Sequence, residues 1–232
     1  MSKDDSSVPL HLGLILDGNR RWAKKRGISQ LEGHRKGYET LKVVCQAALD
    51  RGVKYISAYV FSTENWERSK EEVNYLMKLL LWVFKNEINE FDQKNIRIRV
   101  LGSRERLSKS IVKSIEKAEK LTANNTGGTL ALCLNYGGQQ EIADAVRSII
   151  KNNVKSEEVT PVTVEQHLYS PDIPPVDLII RTSGEKRLSN FMLWRAAYSE
   201  LYFSDKLWPD FSVADLSAAF VEYAQRQRRY GK

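Results

Sequence analysis

The chain has 232 residues, of which 42% are apolar, and its 36 basic against 29 acidic side chains give a formal charge of +7. That length supports one substantial core and does not demand a second domain. The longest uninterrupted apolar run, residues 79–84, is far short of the roughly 20 residues a membrane-spanning helix needs. The start carries acids, Asp4 and Asp5, where a secretory leader would carry bases, so a soluble, cytoplasmic protein is expected. Cys45 and Cys133 lie in apolar stretches without Cys-x-x-Cys spacing, which predicts buried, reduced thiols and no zinc site. The positive charge calls for an anionic partner: nucleic acid, a lipid surface or a phosphorylated substrate.

In chain order, residues 1–10 read as a flexible tail. Strand-like segments follow at 12–16, 53–61, 96–101, 130–134, 178–180 and 201–203, separated mostly by helical patterns. That alternation predicts an α/β domain over 11–232, a mainly parallel sheet of about six strands flanked by helices. Between the first two strands, Tyr38, Leu41, Val44, Cys45, Ala48 and Leu49 form one helical stripe that Gly52 ends. The stretch 71–91 carries a stripe through Val73, Leu76, Leu80, Phe84 and Ile88, with a middle apolar on nearly all sides. It must be covered on two faces, as a core or dimer helix or as the wall of an apolar tunnel. Residues 109–120 alternate Lys and Glu, the pattern of a solvated helix face. Residues 152–175, with four prolines, read as a connection with one short helix at 164–169. A last helix starts near Val213 and ends in a basic tail.

The first strand runs into Asp17-Gly18-Asn19-Arg20-Arg21-Trp22. This is either an ordinary Asp-Gly turn with solvated arginines, or a carboxylate and a helix start, capped by Asn19, that cradle a diphosphate. Gly33-His34 opens the first long helix, Phe61 to Arg68 follows the second strand, and Arg181 to Asn190 follows the fifth. Polar groups gathered from several strand ends of a parallel sheet form a ligand crevice. Taken singly, His34 reads as a surface or capping histidine, Trp66 as a packing residue and Arg181 as a solvated terminus.

These blocks, together with Asn135-Tyr136-Gly137-Gly138 and Glu200-Leu201-Tyr202-Phe203 through Trp208-Pro209-Asp210-Phe211, resemble the ordered signature of the cis-prenyltransferases, nearest to the bacterial undecaprenyl diphosphate synthases. The resemblance implies Mg2+-dependent condensation of isopentenyl diphosphate with an allylic diphosphate, farnesyl diphosphate being the expected starter, along an apolar product tunnel. It implies Asp17 and Asn65 as catalytic residues, with Mg2+ on Asp17 and Glu200. Gly18, Asn19, Arg20, Arg21, Trp22 and His34 would hold the allylic substrate; Ser62, Thr63, Glu64, Trp66 and Arg68 would lie near the reacting centre. Arg181, Arg187 and Ser189 would hold isopentenyl diphosphate, and Arg229 would reach across a homodimer interface. Loose peripheral membrane contact for product release is expected; nucleic acid is not.

The chain departs from the family pattern at three places. Arg20 stands where many bacterial members have glycine, Gln30 where they have arginine, and Val60 where long-chain members often have alanine, which leaves product length open between undecaprenyl, medium and dolichol sizes. A non-catalytic partner subunit is the first rival reading, but such subunits typically lack the aspartate block that this chain keeps. A basic nucleic-acid binder is the second, and it would need no metal-binding aspartate.

Overall fold

The computed structural model describes residues 8–226. Its sheet is built from β1 (His11–Ile15), β2 (Tyr55–Ser62), β3 (Ile96–Leu101), β4 (Gly128–Tyr136), β5 (Leu178–Arg181) and β6 (Glu200–Phe203). Every pairing is parallel, in the order β3-β4-β2-β1-β5-β6, so the expected sheet is present at all six predicted positions. Both faces are covered, which is why β1, β4 and β5 are buried along their whole length and read as apolar runs rather than alternations.

The helices are α1 (Asn19–Lys25), α2 (Gln30–Asp50), α3 (Lys70–Asn86), α4 (Ile88–Gln93), α5 (Lys109–Leu121), α6 (Gly138–Lys151), α7 (Pro161–Gln166) and α8 (Val213–Gln225). On one face of the sheet α2, α3, α5 and α8 share a core with Leu12, Leu14, Ile56, Leu132 and Ile180. The other face packs Ile15, Ala131, Cys133 and Ile179 against Ile173, Phe191 and Met192. Cys45 and Cys133 are free and buried. As expected, α5 buries only Ile111, Ile115 and Ala118.

Four local expectations change. The stretch 71–91 is two helices: Glu87 ends α3 by donating its N–H to the Val83 carbonyl, and Ile88, starting α4, turns into the core at 5% exposure. The apolar stripe runs through this break and hides it. Second, α1 is a separate short helix that buries only Ala23, so no periodicity announces it. Asn19 does not cap it; Gly18 occupies the N-cap with φ 113°, and a Cβ there would meet the Leu207 backbone at 3.0 Å. Third, α2 starts before Gly33-His34, at a Ser29/Glu32 capping box. Gly33 and Gly37 instead let α1 lie close, since added Cβ atoms would meet the Asn19 carbonyl at 2.4 Å and its side-chain oxygen at 2.3 Å. Fourth, the expected tail is shorter, because Val8 packs on the core and the Leu10 carbonyl accepts from Lys54 and Tyr55; residues 1–7 lie outside the described residues.

Candidate active site

In this sheet β1 lies between β2 and β5, contributed by opposite halves of the chain, and the crevice forms at the carboxyl ends of these strands. Asp17 follows β1, Ser62 ends β2 and Arg181 ends β5. Arg181 is 4% exposed, and its guanidinium donates to Asp17 Oδ2 at 2.9 Å, to Ser189 Oγ at 2.7 Å and to the Arg187 carbonyl. Arg21 donates to Asp17 Oδ1 at 3.3 Å and to the Ser183 carbonyl at 3.2 Å. The Asp17 carbonyl accepts from Thr182 Oγ1 at 2.6 Å and from the Trp208 N–H at 3.0 Å. A single carboxylate, fixed by its own backbone, thus joins the arginines of two elements.

Two polar clefts meet at Asp17. One, of about 650 Å³, is lined by Gly18, Asn19, Arg20, Arg21, His34 and Arg68 among others. The second, of about 530 Å³, is lined by Tyr59, Ser62, Glu64, Asn65, Arg181 and Ser189, and shares Asp17 and Arg68 with the first. Asn19 Oδ1, Arg181 Nε and Ser183 Oγ are buried without a hydrogen-bond partner, a cost that a polar ligand would relieve. From the first cleft, past Leu16, Asn19 and His34, an apolar tunnel of about 100 Å³ runs between α2 and α3, along Leu41, Val60, Leu76, Leu80 and Leu132. A register shift of β2 against β4 between Tyr59 and Phe61 makes Val60 the extra residue of a bulge. Val60 and Phe61 therefore share the face of the α2–α3 core, which strict alternation would forbid.

Behind the first cleft, against His34 and Arg68, lies a carboxylate that sequence reading missed. Glu72, 5% exposed, accepts from Arg68 Nη1 at 2.8 Å and pairs with His34 Nε2 at 3.0 Å; Arg20 Nε lies 3.8 Å away. Burial alone would raise its pKa, but the His34 bond and the charges of Arg68 and Arg20 hold it below the usual carboxylate range. Burial pushes His34 below the ordinary histidine value, partly opposed by Glu72. The imidazole is then neutral at pH 7, with its Nε2–H donating to Glu72. Ser69-x-x-Glu72 reads as a capping box, and Ser69 does cap α3, which is why the diverted carboxylate gave no other signal. Arg20 also donates to Gln30 Oε1 at 3.1 Å, so the two departures at 20 and 30 are neighbours on the wall of the first cleft.

Not every expected residue faces the clefts. Trp22 donates to Asp210 Oδ1 at 2.7 Å under the Arg26 guanidinium, tying α1 to the turn at Trp208–Asp210. Trp66 packs edge-on against Phe61 and donates to Asn135 Oδ1 at 2.7 Å; both tryptophans brace the site from behind. Thr63 packs near Gly137. The Arg187 side chain is 60% exposed and paired with Glu185, and only its carbonyl reaches Arg181. Asn65 lines the second cleft, with its Oδ1 accepting from the Ser62 N–H; Glu64 accepts from Asn190 Nδ2 at 2.9 Å. Glu200 is the clearest correction. It pairs in register with Leu178, at the amino end of β6, whereas Arg181 pairs with Phe203, and it is held by Arg226 at 2.9 Å. Within one chain Glu200 sits at the opposite sheet edge from Asp17 and cannot share an ion with it. Arg229 lies outside the described residues.

Among the described residues no group of three or more His, Cys, Asp or Glu converges as a metal cage. Magnesium typically takes one or two carboxylates plus substrate phosphate oxygens. Asp17, which lines both arginine-bearing clefts, fits an ion that arrives with a diphosphate.

A family model described as "Putative undecaprenyl diphosphate synthase" matches residues 15–231. An isoprenyl transferase of Thermotoga maritima is 47% identical over 226 residues, 97% of each chain. A decaprenyl diphosphate synthase of Mycobacterium leprae is 46% identical over 230 residues, covering 97% of this chain and 78% of that one. The crystal structure of lavandulyl diphosphate synthase from Lavandula x intermedia, in complex with dimethylallyl diphosphate, superposes with a TM-score of 0.93 at 35% identity, covering 97% of this chain and 99% of that one. Matched along nearly its whole length, the chain belongs to the undecaprenyl diphosphate synthase family of cis-prenyltransferases and is an isoprenyl transferase.

Proposed function

We propose that the protein condenses isopentenyl diphosphate repeatedly with an allylic diphosphate, farnesyl diphosphate being the preferred starter, to make a long cis-polyprenyl diphosphate such as undecaprenyl diphosphate. The observation that carries this reading is the junction of two arginine-lined clefts at Asp17, with an apolar tunnel continuing the first past Asn19 and His34. A substrate with a charged head and a growing apolar tail fits the first cleft. A short diphosphate with no tail to house fits the second.

In each cycle the allylic C1–O bond breaks, C4 of isopentenyl diphosphate bonds to C1, and a proton passes from its C2 to the departing diphosphate as the new C2–C3 double bond forms. Arg20, Arg21, His34 and Arg68 hold the departing diphosphate. Fixed donors in a dry site stabilise developing charge without reorganising. Arg181 and Ser189 hold the second diphosphate, and Asn65 lines the same cleft. Asp17 would hold Mg2+, which when bound neutralises the leaving diphosphate. The reading includes a homodimer in which Arg229 of each chain serves the other's site, a cytoplasmic location and loose peripheral membrane contact for product release.

The test is purified protein with Mg2+, labelled isopentenyl diphosphate and a panel of allylic starters, the products being resolved by chromatography. A ladder of C5 increments ending in one dominant long product is expected. A single condensation with every starter would instead favour a short-chain synthase like the lavandulyl relative, and no incorporation would favour the non-catalytic subunit.

A further inference from the structure

The loop after β5 holds Ser189 and Asn190 in the left-handed region, at φ 49° and 65°, a conformation that asparagine adopts more readily than most side chains. Ser189 is exposed and bonds Arg181 at 2.7 Å. Asn190 lines the same cleft, but its polar atoms are turned to the protein. Its carbonyl accepts from the Gly138 N–H at 2.7 Å and its Oδ1 from the Gln139 N–H at 2.8 Å. These are two of the free donors at the start of α6, whose N-cap, Gly137, has no side chain to offer. The Asn190 Nδ2 donates to Glu64 Oε1 at 2.9 Å, and the Tyr59 hydroxyl is shared by the Ser189 and Tyr136 carbonyls at 3.2 Å each. A Cβ at Gly137 would meet Asn190 Nδ2 and Thr63 Oγ1, each at 2.7 Å, so the three segments lie in close contact.

We propose that Asn190 is a positioning residue for the second diphosphate, clasping the Ser189 loop to the start of α6 on one side and to the helical turn Thr63–Glu67 on the other. This rests on the reading that the second cleft takes isopentenyl diphosphate. The helical turn carries Asn65 and, at its N-cap, Ser62, both of which line the cleft. The loop carries Ser189 and, through its hydroxyl, steadies the Arg181 guanidinium. The clasp therefore ties together the two walls between which the diphosphate sits. It calls for an amide, which accepts at one atom and donates at the other. Burial raises the Glu64 pKa, but the Asn190 bond and other hydrogen bonds hold it below the usual carboxylate range. The partner is then an anion at pH 7, and a carboxylate at position 190 would repel it.

The test measures Kd for isopentenyl diphosphate by calorimetry with Mg2+, and KM for isopentenyl and farnesyl diphosphates, with Tm to confirm folding. Asn190→Gly keeps the left-handed backbone and the carbonyl while removing the amide. Its Kd and KM for isopentenyl diphosphate should rise by about tenfold or more, the scale of losing a hydrogen bond to a charged group, with KM for farnesyl diphosphate within about twofold of wild type. Asn190→Asp keeps the acceptor for α6 but sets two carboxylates together, and should show a similar loss. Adding Glu64→Gln to Asn190→Asp exchanges donor and acceptor across the same bond, with one carboxylate still in the cleft, and should restore most of the affinity. Unchanged isopentenyl diphosphate binding in either single variant, equal losses for both substrates, or a double variant no better than Asn190→Asp overturns the clasp. A wild type that neither binds nor incorporates isopentenyl diphosphate overturns the reading of the second cleft, and this inference with it.

Discussion

Glu72 couples His34 and Arg68 of the first cleft to helix α3, and removing its charge should be felt first as lost stability. The carboxylate is 5% exposed and bonds Arg68 at 2.8 Å and His34 at 3.0 Å. Breaking one side of a fully buried ion pair costs about 3–5 kcal/mol. The Arg68 side chain keeps 27% exposure, so solvent takes up part of the loss and Glu72→Ala should cost about 2–3 kcal/mol. At about 2–4 °C per kcal/mol for a domain of this size, its Tm should fall by about 4–12 °C. Glu72→Gln keeps the shape and one acceptor oxygen, and should lose about half as much.

The pH dependence gives a sharper signature. Because the folded Glu72 pKa lies below its ordinary 4.5, its contribution is present above pH 4.5 and is lost as pH falls through the folded value. His34, deprived of Glu72, becomes harder to protonate in the folded state. The Tm gap between wild type and Glu72→Gln should therefore hold or widen from pH 6.5 to 5, then close below 4.5. Thermal unfolding followed by circular dichroism across pH 4–8 measures both. A Glu72→Ala Tm within 1 °C of wild type at pH 7, or a gap that narrows between pH 6.5 and 5, refutes the buried three-way contact.

Three other outcomes are expected. Val60→Trp should shorten the products and Val60→Ala lengthen them, since a packed wall has little slack volume; chromatography of labelled products checks both, and no change in either removes Val60 from the tunnel. Burial of His11 against Ser57 Oγ and the Pro174 carbonyl depresses its pKa from 6.5 to about 4. Stability linked to it is full above pH 6.5, is lost as pH falls towards 4, and amounts to about 3 kcal/mol at about 1.4 kcal/mol per pH unit; in His11→Asn the Tm drop between pH 7 and 4.5 should be smaller than in wild type. Glu141→Gln should lower Tm, because the Arg195 guanidinium, 1% exposed in its side chain, bonds that carboxylate at 2.7 Å while holding the Tyr169 and Ser170 carbonyls; an unchanged Tm would remove this strut from the account.

What the sequence made legible follows from burial. Strands covered on both faces are largely apolar, so β1, β4 and β5 announce themselves, and polar residues at or just past their carboxyl ends, Arg181 and Asp17, mark the crevice edge. What stayed hidden depends on tertiary register. The bulge that turns Phe61 onto the same face as Val60 is a misfit between β2 and β4, with no local signal. The Glu87 break lies inside an unbroken apolar stripe. Glu72 imitates a helix cap. Trp22 and Trp66 stand within signature blocks, but their indole nitrogens point at Asp210 and Asn135, supporting the cleft rather than lining it. Glu200 shares a block with site residues, yet its strand is only four residues long and it occupies the wrong end.

The central claim is that Asp17 at the junction of the two clefts runs a metal-assisted condensation. Its most direct test is the rate of labelled isopentenyl diphosphate incorporation into farnesyl diphosphate, for wild type and Asp17→Ala, each with Mg2+ and with a chelator. The account predicts a wild-type rate that the chelator abolishes, and an Asp17→Ala rate lower by at least ~10²-fold, the scale of losing one preorganised transition-state contact, in a protein of near wild-type Tm. An Asp17→Ala rate within a few-fold of wild type in Mg2+ would contradict it.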